Sequence, residues 1–225
     1  MTDGIFFLQD GDVVAGADML ADRPARLIPR HVLVTGIGRG GTTAVAMAVE
    51  ALGFHAESPT SYRETKALRQ FIVNSDPAGA NDYLRNWPRE GRRMFWKDPK
   101  IWASAFDPFL EGLPENIGLV FVFRDALGIA ARNCRLSSSS LTDNIVAAAQ
   151  AQYKMSKRLA LVKHRNVVML SYEKLLIDPA MIIDALARFL AVPASLVGKA
   201  AEAIKPSPPA YELKFAKSLR KVAAG

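Results

Sequence analysis

Apolar positions along this chain fall into two textures that alternate. Residues 31–35, 94–96, 118–123 and 167–170 are short apolar runs without polar alternation. A strand covered on both faces, as in a parallel sheet, has this pattern. Between them lie stretches with helical spacing: 43–52, closed by Gly53, then 64–73, 80–87, 101–110, 127–135 and 142–162. A last core helix follows Asp178-Pro179, with Ile182, Ile183, Leu186, Phe189 and Leu190 along one face. Residues 5–8 and 13–14, flanking Gln9-Asp10-Gly11-Asp12, predict a short hairpin. The serine run 137–140 reads as a flexible loop. Strands alternating with helices predict an α/β sandwich of three layers, with a mainly parallel central sheet flanked by helices. The expected organisation is an N-terminal appendage over 1–30, an α/β domain over 31–205 and a basic tail over 206–225.

Composition narrows the picture. The 225 residues are 50% hydrophobic, which argues against disorder and provides for a full core. No apolar run approaches the roughly 20 residues of a membrane helix. The first residues carry Asp3 and no basic residue, unlike a secretion signal, so a cytoplasmic location is expected. Cys134 is the single cysteine, which excludes an internal disulfide and a cysteine-rich metal site. A net charge of +7 points to anionic partners. The basic residues are scattered rather than clustered among aromatics, so no nucleic-acid partner is expected. The tail, with Lys214, Lys217, Arg220 and Lys221 beside Phe215, Leu219 and Val222, has the pattern of a basic amphipathic helix. That pattern fits weak contact with an anionic membrane surface, closure over a cofactor, or a solvated tail.

The chemistry concentrates where the first core strand ends. Gly36-Ile37-Gly38-Arg39-Gly40-Gly41-Thr42-Thr43 joins that strand to the first helix. A glycine-rich turn at a helix N-terminus presents backbone N–H groups and a positive dipole end to a phosphate. Gly36 and Gly41 have the spacing of the nucleotide-hydrolysing loop G-x-x-x-x-G-K-[ST], but Thr42 stands at the lysine position. The cation is instead Arg39. The expected fold is therefore P-loop-like, with a loop that holds phosphate groups without being a standard ATP or GTP loop. Ligands in such sheets sit at the carboxyl ends of the strands. Lys97 and Arg124 also fall just after predicted strands and are expected in the same crevice.

Taken in order, four segments resemble the sulfotransferase family that uses 3′-phosphoadenosine 5′-phosphosulfate (PAPS), its bacterial, carbohydrate-directed branches most closely. The glycine loop resembles the family's 5′-phosphosulfate loop. Trp96-Lys97-Asp98-Pro99 resembles a Lys-x-Pro element. Val120-Phe121-Val122-Phe123-Arg124-Asp125 resembles the strand and arginine of the 3′-phosphate motif. Leu170-Ser171-Tyr172-Glu173-Lys174-Leu175 through Asp178-Pro179, then Arg188-Phe189-Leu190, resembles the Tyr-Glu-x-Leu…Asp-Pro…Phe-Leu signature.

The resemblance implies a PAPS-dependent sulfotransferase that moves a sulfuryl group to a hydroxyl of a carbohydrate, lipid-linked sugar or small metabolite, with no metal required. Gly38, Arg39, Gly40, Gly41, Thr42 and Thr43 would hold the phosphosulfate, and Arg124 the 3′-phosphate. The family's serine eight residues after that arginine is here Arg132, which can also bind phosphate. Gly40 replaces the usual serine before Gly41, and the glycine-rich C-terminal motif of the cytosolic enzymes is missing. Arg39 and Lys97 are the candidates for stabilising transferring charge. Glu64, Glu57 and His55 are the candidates for the general base, Glu64 first. The alternatives are an ATP-dependent kinase or phosphotransferase, in which Asp125 would serve a metal, and a non-catalytic nucleotide-binding protein of the same fold.

Overall fold

The computed structural model describes residues 5–9, 12–15, 28–58, 63–87, 91–99, 101, 107–136, 139–162 and 166–204. The strands are β1 (Ile5–Gln9), β2 (Asp12–Ala15), β3 (His31–Gly36), β4 (His55–Ala56), β5 (Met94–Lys97), β6 (Ile117–Phe123) and β7 (Val167–Ser171). They form one sheet in the order β2-β1-β7-β6-β3-β5-β4. From β7 to β4 every pairing is parallel. The β1–β2 hairpin adds two antiparallel strands beside β7. Gln9 opposes Asp12 at the end of the hairpin, and Asp10 and Gly11 lie outside the described residues.

The helices are α1 (Thr42–Ala51), α2 (Lys66–Val73), α3 (Pro77–Arg85), α4 (Asp107–Glu111), α5 (Ala126–Cys134), α6 (Leu141–Leu159), α7 (Tyr172–Ile177), α8 (Pro179–Phe189) and α9 (Val197–Glu202). Each central strand divides its side chains between two cores, because successive residues of a strand point to opposite faces. Val32, Val34, Val120, Val122, Val168 and Leu170 face Val45 and Val49 of α1 and Ile182, Ile183 and Leu186 of α8. Leu33, Trp96, Leu119, Phe121, Val167 and Met169 face Leu68 of α2, Leu84 of α3, Phe109 of α4 and Met155 of α6. The sheet is thus buried on both sides, as its unalternating apolar runs require. The three-layer α/β sandwich expected from the sequence is the fold observed.

Several elements differ from the expected ones at their ends. Helix α3 starts at Pro77, ahead of the apolar pattern, because the Asp76 carboxylate accepts from Gly79 N at 2.8 Å and proline occupies the first turn. The last residue of the serine run caps the following helix: Ser140 Oγ accepts from Asp143 N at 3.0 Å and opens α6, while Ser137 and Ser138 lie outside the described residues. Helix α6 stops at Leu159, short of Val162. Strand β4, helix α7 and helix α9 have no counterpart among the predicted elements. Of the helix expected over 101–110, the part over 102–106 lies outside the described residues, as does the whole of the tail 206–225.

His31, which opens β3, shows the cost of this burial. Its Nδ1 accepts from Met94 N at 3.2 Å, which fixes a neutral imidazole. Burial, with Arg30 and then Arg93 nearby, lowers its pKa from 6.5 to about 4. The folded state therefore disfavours a proton that the unfolded chain accepts. This contribution is complete above pH 6.5 and is lost as pH falls toward 4. Between those values stability should fall by up to about 1.4 kcal/mol per pH unit from this residue. Urea unfolding of the wild type and of His31→Gln across that window checks it: the variant should show the shallower slope, and equal slopes would refute the assignment.

Candidate functional site

The parallel register brings four strand ends together. Val34 pairs with Lys97, Gly36 with Val122, and Phe123 with Ser171. The loop after β3, the end of β5, Arg124 after β6 and Tyr172 after β7 therefore meet along one edge of the sheet.

The loop is held by close contacts that need glycine. A Cβ on Gly36 would stand 2.5 Å from the Val122 carbonyl oxygen. Gly41 has φ +92°, and a Cβ there would lie 2.1 Å from Cδ2 of the buried Tyr172 ring. The turn closes through Gly40 N donating to the Ile37 carbonyl at 2.8 Å. Arg39 is in the left-handed region, at φ +71°, and is exposed. Beside Gly38, its chain neighbours apart, no heavy atom of the described residues lies within 4 Å of a Cβ position. Gly41 caps α1 without a side-chain hydrogen bond, and the first turn of α1 carries no acidic residue. Thr42 is buried and Thr43 half-buried in that turn.

Arg124 closes the loop from the β6 side. Its Nη1 donates to the Arg39 carbonyl oxygen at 3.0 Å, and its guanidinium carbon lies 5.0 Å from the centroid of the Tyr172 ring. Its Nε is buried and makes no hydrogen bond; the nearest acid, Glu173, is 3.7 Å away. Gln152 of α6 donates to the Arg124 carbonyl. Asp125 caps α5 by accepting from Gly128 N at 2.6 Å, and this bond above all holds its carboxyl below the usual range. Glu173 accepts from Asp125 N at 3.2 Å, and burial raises its pKa. The Tyr172-Glu173 pair thus braces the arginine and the loop together. Arg132 lies half-buried on α5, near that helix's C-terminus.

The other half of the site is a charged cluster at the end of β5. Lys97 is 2% exposed, and its Nζ lies 3.6 Å from Glu64 Oε1. Burial lowers the Lys97 pKa against the opposing pull of Glu64 and Asp98. Arg69 of α2 donates to Glu64 Oε2 at 2.9 Å and grips both oxygens of the fully buried Asp98, at 3.1 and 3.2 Å. Asp98 is tied in turn to the strand that enters the glycine loop: its carbonyl accepts from Thr35 Oγ1 at 2.8 Å, and its N–H donates to the Val34 carbonyl at 3.2 Å.

The three base candidates separate. Glu64 sits beside Lys97 with its side chain 34% exposed. Glu57 is engaged by Thr65 Oγ1 at 2.5 Å and by Tyr83 OH at 3.5 Å. His55 pairs with Met94 at the amino start of β5, the opposite end of the sheet from the loop. The fold therefore separates His55 from the crevice, because β4 runs parallel to β5 and begins level with it. Sequence reasoning missed Arg69, Gln152 and the packing of Tyr172 beneath Gly41; one arginine on an amphipathic helix carries no signal of its partners.

The crystal structure of a sulfotransferase from Alicyclobacillus acidocaldarius superposes with a TM-score of 0.53 over 87% of this chain and 94% of that one, at 14% identity. This chain has the sulfotransferase fold. The sulfotransferase domain of the Synechococcus PCC 7002 olefin synthase aligns over 88% of this chain and 98% of its own, at 12% identity and a TM-score of 0.48. Retinol dehydratase in complex with androsterone and the inactive cofactor PAP aligns over 87% and 71%, at 17% identity and a TM-score of 0.45. No family model matches the sequence, and no curated protein matches it at the sequence level. At these identities the sulfotransferase likeness is one of fold. Among the described residues no helix is long and apolar enough to cross a membrane.

The packing of Tyr172 under the loop is open to a direct check. Gly41→Ala must leave the left-handed region or displace the ring, and should destabilise the protein by about 2 kcal/mol or more. Chemical denaturation measures this, and a wild-type midpoint would contradict the contact.

Proposed function

We propose that this protein is a PAPS-dependent sulfotransferase acting on a hydroxyl of a carbohydrate, lipid-linked sugar or small metabolite. The observation that carries this reading is Arg124, bound to the loop through the Arg39 carbonyl while its Nε stays buried without a hydrogen bond. A half-buried guanidinium whose Nε makes no hydrogen bond, beside a glycine loop without a side-chain cap, fits a ligand with two separate anionic groups. PAPS has that form, a 5′-phosphosulfate and a 3′-phosphate.

In this reading the amides of Gly38, Gly41, Thr42 and Thr43, the two threonine hydroxyls and the Arg39 guanidinium hold the phosphosulfate, and Gly40, whose N–H closes the turn, keeps the loop tight. Arg124 and Arg132 hold the 3′-phosphate. When bound, PAPS supplies a sulfuryl group attached to a good leaving phosphate. Glu64 takes the proton of the acceptor hydroxyl as that oxygen bonds to sulfur. Arg39 and Lys97 hold the negative charge that builds on the departing phosphate oxygen, a task of positioning and charge stabilisation as in phosphoryl transfer. Glu64 is preferred to Glu57 because it stands beside Lys97 at the end of β5, whereas Glu57 is held by Thr65 and Tyr83.

Thermal unfolding with adenosine 3′,5′-bisphosphate tests the donor. A ligand at about 100 times its dissociation constant adds roughly 2.7 kcal/mol, so the bisphosphate should raise Tm clearly. Stabilisation only by ADP with Mg²⁺ would move the protein to the phosphotransferases. Arg124→Ala should weaken the bisphosphate by at least tenfold more than adenosine 5′-monophosphate, measured by calorimetry. Equal losses would remove Arg124 from the 3′-phosphate site.

A further inference from the structure

Arg69 lies outside every motif of the chain, yet it contacts both acids of the cluster. Two of its donors, Nε and Nη2, are taken side-on by the Asp98 carboxylate. This bidentate grip alone would suffice to dock α2 on the sheet. The third donor, Nη1, goes instead to Glu64 Oε2 at 2.9 Å, and this leaves Glu64 Oε1 turned to the Lys97 amine at 3.6 Å. Glu64 precedes α2, whose N-cap, Thr65, is tied by its N–H to the Lys97 carbonyl at 3.1 Å. The backbone thus brings Glu64 near Lys97, and the guanidinium sets the rotation of its carboxylate.

We propose that Arg69 is a positioning residue: by spanning Asp98 and Glu64 it holds the Glu64 carboxylate against Lys97, and so fixes the acid–amine pair at the edge of the phosphate loop. The inference deepens the sulfotransferase reading and rests on it for the use of that pair, while the placement itself stands on the contacts above. Two cations and two carboxylates balance in charge, so Lys97 and Asp98 are buried without a net ion, with the half-buried Arg69 and Glu64 as their partners. Asp98, linked through its main chain to Thr35 and Val34, gives the clamp a fixed anchor on the strand that enters the loop. A lysine at position 69 would keep the charge but lacks the planar fork needed to serve two carboxylates at once. Arg69→Lys should therefore satisfy Asp98 and release Glu64.

The test reads Lys97 directly, by its rate of acylation with acetic anhydride at neutral pH, resolved residue by residue by mass spectrometry. The charged groups that set its amine are Glu64, Asp98 and Arg69. Glu64→Gln removes an anion that favours the protonated amine, so Lys97 should react at least threefold faster. Arg69→Lys should produce the same acceleration. In the Glu64→Gln background, Arg69→Lys should add nothing further. Unchanged labelling in Arg69→Lys overturns the proposal, and so does an acceleration that recurs in full on top of Glu64→Gln, which would mean general loosening. Adenosine 3′,5′-bisphosphate binding to Arg69→Lys should stay within twofold of wild type, and a tenfold loss would also overturn it. Failure of the wild type to bind the bisphosphate would sink the sulfotransferase reading, with the labelling result still deciding the role of Arg69.

Discussion

The site depends on the register of β3 between its two parallel neighbours. Because Val34 lies opposite Lys97 and Gly36 opposite Val122, the strand that feeds the glycine loop ends level with the strands that carry Lys97 and Arg124. In a parallel sheet every strand arrives at the same edge, and every residue that follows a strand is delivered there. A slip of one residue would exchange the two faces of β3 and turn Val32 and Val34 away from α1. The same burial that fixes the core thus fixes the position of the loop.

On that edge the protein uses two different solutions to the presence of charge. On the β6 side, Arg124 is supported by aromatic and main-chain contacts, and its acid neighbour stands beyond hydrogen-bond distance. One donor, Nε, makes no hydrogen bond among the described residues and faces Glu173 only as an ion pair at 3.7 Å. On the β5 side, Lys97, Glu64, Arg69 and Asp98 satisfy one another. Burying any one of these alone would cost several kcal/mol; burying them as a neutral set costs much less. In the proposed reading, the β6 half of the site takes a ligand's charge, while the β5 half holds its own charges in place.

The fourth segment of the resemblance, from Leu170 onward, gains a physical meaning from this arrangement. Tyr172 fills the space beneath Gly41, and Glu173 accepts from the main chain at Asp125. The residues after β7 are a support on which the loop after β3 and the arginine after β6 both rest, and this explains why Gly41 has no room for a side chain.

The α/β class, the central strands and the loop were legible in the sequence, because each is a local property. A strand buried on both faces must be continuously apolar, and a phosphate-binding turn must be rich in glycine. Helix ends were less legible where a cap such as Asp76 or Ser140 extended the helix beyond its apolar stripe. Strand β4, two residues long, is too short for any period to appear. The partners of Arg69, the seat of Tyr172 and the removal of His55 to the far end of the sheet belonged to the tertiary structure alone. Each is a contact between residues distant along the chain, or a matter of which end of a strand a residue occupies. Sequence spacing named the groups that carry charge; only the packed sheet decided which of them face one another.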